Sequence, residues 1–203
     1  LSLICYQLRA WENYRRILEY SVDGIYQTSR TGGLIYANRS LARLFAYSSP
    51  AEMKRSVRRV SRDIYRRSAD RERFLGLLTR DDEVVGFECE LYRRDGASVW
   101  VRQNARAVRN AVGEVEYIVG TVADITELKR AEEARRRAET DYQRLFNSAQ
   151  AGLYQITQEG RFLKVNEMFA RLLGFDTPAA CVEYYQDVSK DLYIYPEDRQ
   201  WVL

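Results

Sequence analysis

The 203-residue sequence contains no histidine. Its absence excludes Ser-His-Asp and Cys-His catalysis, histidine-ligated zinc, iron or haem, and phosphotransfer through histidine within these residues. The three cysteines, Cys5, Cys89 and Cys181, lie far apart and form no CxxC pair, so we expect reduced thiols in a cytoplasmic protein. Neither a GxxxxGKS/T nor a GxGxxG phosphate-binding motif is present. Most familiar enzyme classes therefore do not fit.

Long apolar runs and a strong net charge are also missing. Charged residues make up 30% of the chain and the net charge is only +3, so composition gives no general argument for nucleic-acid binding. No apolar run approaches the ~18 residues that a membrane span needs. The apolar start at residues 1–8 is short and lacks a cleavage site, so no signal peptide is expected. A hydrophobic fraction of 46% predicts a folded chain.

An internal repeat organises the sequence. Shifted by 128 positions, residues 14–75 align without a gap on residues 142–203, and 19 of the 62 pairs are identical. The match predicts one fold used twice. Because residue 203 corresponds to the middle of the first copy, we expect the chain to be a piece of a longer protein.

Each repeat begins with a pattern that predicts an α+β unit. Asn38 and the matching Asn166 are predicted N-caps of short helices, and a longer helix is expected to end near Leu78. On the third strand, Val85, Phe87, Cys89 and Leu91 are expected to share the inner face. The predicted strands are Gly24–Ser29, Leu34–Ala37, Val84–Arg93, Ala97–Arg109 and Glu114–Ala123.

Three segments of the first repeat resemble the PAS domain family with its C-terminal PAC segment. They are DGIYQTS continuing to YANRSLARLFAY, the hairpin GFECELYRRDGASVWV, and the exit segment GTVADITELKRAEEA, whose Asp-Ile-Thr triplet is the most specific mark. The resemblance implies a PAS fold, with a five-stranded antiparallel sheet in the order 2-1-5-4-3, small flanking helices and long connecting helices. The predicted organisation is a leading helix at 1–20, a first PAS/PAC domain at 21–124, a connecting helix at 125–148 and half of a second PAS domain at 149–203.

The resemblance leaves the cofactor unknown. Light-sensing members of the family carry a reactive cysteine in a helical Gly-x-Asn-Cys-type motif, and the corresponding residues 63–67 include no cysteine. Photoactive flavin–cysteine chemistry is therefore not expected, and histidine-ligated haem is excluded. Cys89 is interpreted as a buried structural thiol. No metal site is predicted.

Apolar and aromatic residues are expected to line the concave side of the sheet. Core packing is the default interpretation of such a set, and a small-molecule pocket is the alternative. The pocket candidates are Ile25, Leu41, Leu44, Phe45, Ile64, Tyr65, Phe74, Leu78, Phe87, Cys89 and Val119.

The residues Asp124, Ile125, Thr126 and Glu127 join the last strand to the connecting helix. Asp124 at the N-cap and Glu127 three residues later have the spacing of a capping box. One interpretation is that these residues only cap the helix. The resemblance adds a second, in which this joint couples distortion of the sheet to movement of the helix.

The connecting helix carries an apolar seam at heptad spacing. A two-chain coiled coil is one interpretation, and a single solvated helix is the other. A similar pattern at Leu3, Ala10, Tyr14 and Ile17 precedes the first repeat. The seam residues of the connecting helix are Leu128, Ala131, Arg135, Ala138, Tyr142 and Leu145.

The stretch Lys54–Arg73 contains nine basic residues. Several matching positions of the second repeat, such as Val182 and Glu183, are not basic, so the fold does not require this charge. A solvated face, an acidic partner and nucleic acid are the three interpretations, and nucleic acid is the least favoured because interleaved aromatic residues are few.

Together these patterns predict a non-catalytic sensor and dimerisation region of a larger bacterial signal-transduction protein. A sensor histidine kinase is the first choice of parent protein and a diguanylate cyclase-type protein the second. Expected partners are a second copy, through the helices and the sheet face, the output domain and a small molecule, with no nucleic acid. The competing class is a passive spacer and oligomerisation module. An enzyme is disfavoured because no catalytic group of residues is visible.

Overall fold

A computed structural model of the protein describes residues 16–185. The chain divides into two compact units, residues 1–131 and 132–203. Among the described residues, no helix combines the length and apolar character needed to cross a membrane. The predicted positions Leu3, Ala10 and Tyr14 of the leading seam lie outside the described residues, as does the repeat match beyond residue 185.

The first unit is built on a five-stranded antiparallel sheet. Its strands lie in the order β2-β1-β5-β4-β3, so the predicted fold class and strand order are confirmed. The first and last strands are neighbours in the sheet, and β1 therefore pairs directly with the strand that leads out of the unit. The strands are β1 (Gly24–Ser29), β2 (Leu34–Ala37), β3 (Glu83–Tyr92), β4 (Ser98–Arg109) and β5 (Val115–Asp124).

Four helices between β2 and β3 cover the inner face of this sheet. Ser49 caps the second helix and Pro50 occupies its first turn, where a missing N–H costs nothing. The fourth helix runs past the predicted end at Leu78 and ends where Asp82 adopts a left-handed conformation with φ of 56°. The helices are α1 (Arg39–Leu44), α2 (Pro50–Ser56), α3 (Val60–Asp63) and α4 (Ser68–Asp81).

A β-bulge interrupts β3 near its start. The pairing register with β4 shifts between Val84 and Phe87, and Gly86 has φ of 68°, which glycine adopts without steric cost. The extra residue turns Val84 into the core and leaves Val85 76% exposed. The predicted inner position of Val85 is therefore wrong, because strict alternation does not continue through a bulge.

Asn38 joins three segments of the first unit and is completely buried. Its Oδ1 accepts hydrogen bonds from the N–H groups of Ile25 and Leu41, both at 2.9 Å. Its Nδ2 donates to the carbonyl oxygens of Leu18 at 2.9 Å and Asp23 at 3.0 Å. The predicted N-cap is confirmed, and the same amide also holds the helical segment at Leu18 against β1 and α1.

The second unit repeats this arrangement on a smaller scale. A two-stranded antiparallel sheet packs with two helices around Phe162, Val165, Ala170 and Cys181. The elements are β6 (Tyr154–Ile156), β7 (Phe162–Val165), α6 (Glu167–Leu172) and α7 (Pro178–Tyr184).

Asn166 makes the same four hydrogen bonds in the second unit. It accepts from the N–H groups of Leu153 and Phe169 and donates to the carbonyl oxygens of Phe146 and Ala151. Each partner lies 128 positions after its counterpart around Asn38, so the repeat holds at the level of single hydrogen bonds.

The connecting helix α5 (Thr126–Ser148) is continuous over 23 residues. Its polar surface carries ion pairs one turn apart, such as Glu133 with Arg136 and Arg137, both at 2.9 Å. Such pairs stabilise a solvated helix by a few tenths of a kcal/mol each.

Candidate functional site

A cavity of about 40 Å³ lies inside the first unit, between the sheet and the helices. Space of this size holds roughly three water molecules, far less than the 300 Å³ or more typical of drug-sized ligand pockets. The lining side chains are Tyr26, Thr28, Leu34, Leu41, Phe45, Met53, Val57, Val60, Ile64, Tyr65, Arg71, Leu91, Gln103 and Val122.

Three polar groups of the cavity wall lack hydrogen-bond partners. The Tyr26 and Thr28 hydroxyl oxygens and the Arg71 Nε are buried without one. Thr28 is 2% exposed and Arg71 only 8%. Buried polar groups are nearly always hydrogen-bonded, so three unpaired groups around one cavity mark it as a place for a polar guest.

A hydrogen-bonded cluster borders the same cavity. Gln103 Nε2 donates to Tyr65 Oη at 3.2 Å and to Cys89 Sγ at 3.1 Å. Burial raises the pKa of Tyr26 and of Tyr65, and it raises the pKa of the Cys89 thiol to about 11. Both phenols therefore remain donors at neutral pH, and Cys89 stays a thiol without nucleophilic activation.

The predicted pocket candidates fall into three groups. Leu41, Phe45, Ile64 and Tyr65 line the cavity. A second group belongs to the buried core but not to the cavity wall. Leu44 is counted with this group, although it is only half-buried and packs against the core from outside. The core members are Phe74, Leu78, Phe87 and Cys89.

Ile25 and Val119 lie on the opposite face of the sheet, so their prediction as pocket residues is wrong. Gly24 takes the inward place in β1 because it lies against Leu41, where an added Cβ would come within 2.6 Å of Leu41 Cδ1. Alternation then turns Ile25 outward and Tyr26 inward. In β5, Gly120 pairs with the inward Tyr26, so the adjacent Val119 lies on the outer face and is 38% exposed.

Ten residues of the cavity wall were not among the sequence candidates, and four of these carry polar side chains: Tyr26, Thr28, Arg71 and Gln103. Tyr26 and Thr28 follow Gly24 at a spacing of two, and Gln103 follows the inward Val101 at the same spacing, so correct strand phasing finds all three. Arg71 gives no such signal, because in the sequence it is one basic residue of a strongly basic stretch.

Gly120 brings the cavity wall into contact with the exit strand. Tyr26 pairs with Gly120 across β1 and β5, and a Cβ on Gly120 would lie 2.7 Å from Tyr26 Oη and also collide with the carbonyl oxygen of Asn104. The tyrosine hydroxyl therefore sits directly over the strand that continues into α5.

The joint between β5 and α5 is tied to β4. Ile125 N–H donates to the Trp100 carbonyl oxygen at 2.9 Å, and Trp100 N–H donates to Thr126 Oγ1 at 3.1 Å. Asp124 Oδ1 accepts from Thr126 N–H at 2.8 Å. The strand and the helix consequently meet without a flexible linker.

The predicted capping box is wrong in its geometry. Asp124 bonds two residues ahead, to Thr126, and so lies one position before the helix cap. Glu127 bonds to Arg130 at 3.0 Å along the helix surface. The helix begins one residue later than a cap at Asp124 requires, because Ile125 still pairs with β4.

An ion pair holds the first turn of α5 on the outer face of the sheet. Lys129 Nζ lies 2.7 Å from Glu88 Oε2 and 5.6 Å from the centroid of the Trp100 ring. Arg102 donates to the other carboxylate oxygen of Glu88 at 2.9 Å. Both cations lower the pKa of Glu88, so its carboxylate stays charged.

Comparison with known families agrees with this architecture. A model of the PAS fold matches residues 12–125, and a second PAS-domain model matches residues 140–202. The chain belongs to the PAS domain family.

Relatives of this PAS chain occur in signalling proteins. The probable diguanylate cyclase DgcE of Escherichia coli (strain K12) is 24% identical over 127 residues, which are 62% of this chain and 11% of that protein. The sensor histidine kinase TmoS of Ectopseudomonas mendocina is 22% identical over 139 residues, 68% of this chain and 14% of that protein. The chain thus spans about an eighth of the length of either relative.

A solved structure supports the PAS fold. An RNA-binding light-oxygen-voltage receptor matches with a TM-score of 0.51 at 20% identity, covering 64% of this chain and 37% of that chain. A likeness at this identity bears on the fold alone.

The seam predicted on α5 is solvent-exposed at every position, and Leu145 is 70% exposed. Tyr142 additionally stacks on Phe146, with ring centroids 5.7 Å apart. The exposed positions are Leu128, Ala131, Arg135, Ala138, Tyr142 and Leu145.

The basic stretch Lys54–Arg73 does not form one uniform surface. Arg66 pairs with Glu90, and Arg62 pairs with Asp63 at 3.0 Å. Arg71 is buried, as described above. The charge available to a partner is therefore smaller than the sequence suggests.

Proposed function

We propose that this chain is the sensory region of a larger signalling protein, in which the first PAS unit detects a small molecule and α5 carries the response. One observation carries the proposal: the cavity holds three unpaired polar groups, and its wall strand β1 pairs with β5, which runs directly into α5. A cavity that served only packing would leave fewer buried polar groups without partners.

The response would travel through contacts that are already in place. A guest that engages the Tyr26 hydroxyl acts on a side chain lying over Gly120 in β5. Five and six residues after Gly120, the bonds of Ile125 and Thr126 to Trp100 set the start of α5. A shift of β5 relative to β4 therefore changes the position or rotation of the helix.

The exposed seam of α5 would pair with the seam of a second copy. Leu128 and Leu145 are large apolar residues in solvent, whereas Ala131, Arg135 and Ala138 make the seam weak. Weak pairing suits a switch, because the two arrangements of a switching helix pair must lie close in energy.

The relatives support two choices of parent protein. A sensor histidine kinase is our first choice and a diguanylate cyclase the second, with the output domain as the receiver of the α5 signal. This region itself would perform no chemistry and bind no nucleic acid. The buried free thiols of Cys89 and Cys181 support a reducing compartment, the cytoplasm.

The test combines ligand stabilisation with a readout on the helix. The full chain is melted against a panel of small anions, neutral polar molecules and cations, and hydrogen exchange is followed at the amides of α5. A sensor predicts that at least one compound raises the melting temperature and changes exchange in the first turn of α5. The passive spacer predicts neither change.

Asp124→Ala separates sensing from transmission. The variant removes the bond to Thr126 N–H while leaving the cavity intact, so ligand stabilisation should persist and the exchange response of α5 should disappear. In the full-length protein, we expect the signal to become uncoupled from output. Normal signalling by this variant contradicts the proposed route.

A further inference from the structure

Arg71 is a buried cation without a counter-ion. No carboxylate among the described residues forms an ion pair with its guanidinium, which lies 5.3 Å from the centroid of the Tyr65 ring and 5.4 Å from that of Phe74 and hydrogen-bonds to the Tyr65 side chain. The Nε–H has no acceptor. Arginine is rarely this buried unless it is paired, because an isolated charge is expensive to remove from water.

Several other arginines of the first unit pair with carboxylates. Arg102 pairs with Glu88 at 2.9 Å, Arg109 pairs with Asp82 at 2.5 Å, and Arg66 pairs with Glu90. All of these are considerably more exposed than Arg71. The most deeply buried of these guanidiniums is thus the one that lacks an anion.

The remaining unpaired groups of the cavity can also donate. Tyr26 and Thr28 place hydroxyl groups on the same inward face of β1, two residues apart, and both hydroxyls lack partners. Burial keeps the Tyr26 phenol protonated. An arginine N–H can only donate, and a hydroxyl facing an anion donates as well. Three groups that can all donate around one cavity favour a guest rich in acceptors.

The size and the rest of the lining limit that guest further. A volume of about 40 Å³ admits only a few non-hydrogen atoms. The other walls are largely apolar, with Leu34, Leu41 and Met53 among them. A carboxylate group that carries no more than two further carbons meets both conditions: it offers up to four acceptor sites to the donors, and any alkyl part can lie against the apolar wall.

We propose that the first PAS unit binds a short-chain monocarboxylate, of the size of formate, acetate or propionate, on Arg71 and the Tyr26 and Thr28 hydroxyls. The inference rests on the proposed sensing function and names the class of ligand that would be sensed. The anion supplies the missing counter-charge of Arg71 and the missing acceptors of the two hydroxyls. Tyr26 then links the occupied site to Gly120 and β5.

The probes are sodium formate, acetate and propionate, each replacing sodium chloride at constant ionic strength, with acetamide as the neutral isostere of acetate. We expect the melting temperature of the full chain to rise with the logarithm of carboxylate concentration and to stay flat in chloride and acetamide. If no carboxylate stabilises the chain, the inference is overturned. Equal stabilisation by acetamide overturns the anion class while supporting a sensing cavity.

Arg71→Met provides the decisive variant, because methionine fills similar space without charge. The carboxylate response should be lost, and the melting temperature without ligand should equal or exceed that of the unmodified chain, since an unpaired buried charge has been removed. Arg73→Met is the matched control: Arg73 lies on the same helix, is exposed and lies over Phe87. It should keep the full response. A carboxylate response that survives in Arg71→Met overturns the site.

Two further variants keep the test independent of how Arg71→Met folds. Thr28→Val and Tyr26→Phe each delete one hydroxyl and preserve the shape of the side chain. Each should weaken carboxylate binding by about tenfold, the usual effect of losing one hydrogen bond to a charged group. Unchanged affinity in both variants overturns the assignment of the two hydroxyls.

Discussion

Replacing Asn38 with alanine removes four hydrogen bonds of a buried side chain at once. Loss of an N-cap costs about 1 kcal/mol. The Ile25 N–H and the carbonyl oxygens of Leu18 and Asp23 lose their partner as well, and a buried polar group without a partner costs about 1–3 kcal/mol. Because water will reach some of these groups, we expect a total loss of about 3–5 kcal/mol, a large part of the stability of a small domain.

The assay is urea denaturation of the full chain combined with residue-resolved hydrogen exchange. Asn38→Ala should lower the midpoint of the first unit and accelerate exchange of the Ile25 and Leu41 amides, which donate to Asn38 Oδ1. Asn147→Ala is the control, since Asn147 is exposed on α5 and its replacement should change stability by no more than about 0.5 kcal/mol. Equal midpoints for the two variants refute the reasoning.

Asn38→Asp gives the same test a pH dependence. The new carboxylate would face the carbonyl oxygens of Leu18 and Asp23 where an amide now donates, so its folded-state pKa should rise above the unfolded value of about 3.9. The unfolded chain then releases the proton first, and stability falls as the pH rises above about 4. Stability that increases with pH over this range contradicts the assigned amide orientation.

Three further perturbations follow from the first unit. Gly120→Ala should lower the melting temperature strongly because its Cβ has no room beside Tyr26, whereas Gly76→Ala in α4, where a Cβ meets open space, should stabilise by up to about 1 kcal/mol. Cys89 should react slowly with an alkylating reagent near pH 8, as mapped by mass spectrometry, and rapid labelling of the native chain contradicts its burial. The free energy of unfolding should decline above pH 9, because the thiol loses its proton there in the unfolded chain but keeps it to about pH 11 in the folded one. Lys129→Met should cost about 1 kcal/mol or less and speed amide exchange in the first turn of α5; unchanged exchange means that its ion pair does not anchor the helix.

Local signals in the sequence predicted most of the secondary structure. The bounds of β1 and β2 agree with the prediction, and the three long strands differ by one residue at their ends. Glycine turns such as Gly96, with φ of 83°, and side-chain caps such as Asn38 act within a few residues and are visible in the sequence. The strand order came from the resemblance to a family and not from these signals.

Only the tertiary structure decided which face of the sheet each side chain occupies. The inward phase of β1 depends on the packing of Gly24 against Leu41, and the exposure of Val85 depends on a bulge at Gly86. An error of one residue in the phase of a strand exchanges its two faces. Such an error placed Ile25 in the predicted pocket and omitted Tyr26.

The amino-acid sequence alone determined that this protein repeats one α+β unit, where its strands and turns lie, and that it carries no histidine chemistry, because each of these properties is local or compositional. The tertiary structure alone decided that Arg71 meets Tyr26 and Thr28 around one cavity. Arg71 lies more than 40 positions from either of the other two residues, and only the packing of α4 over the sheet brings this charge from a basic stretch into a site without a counter-ion.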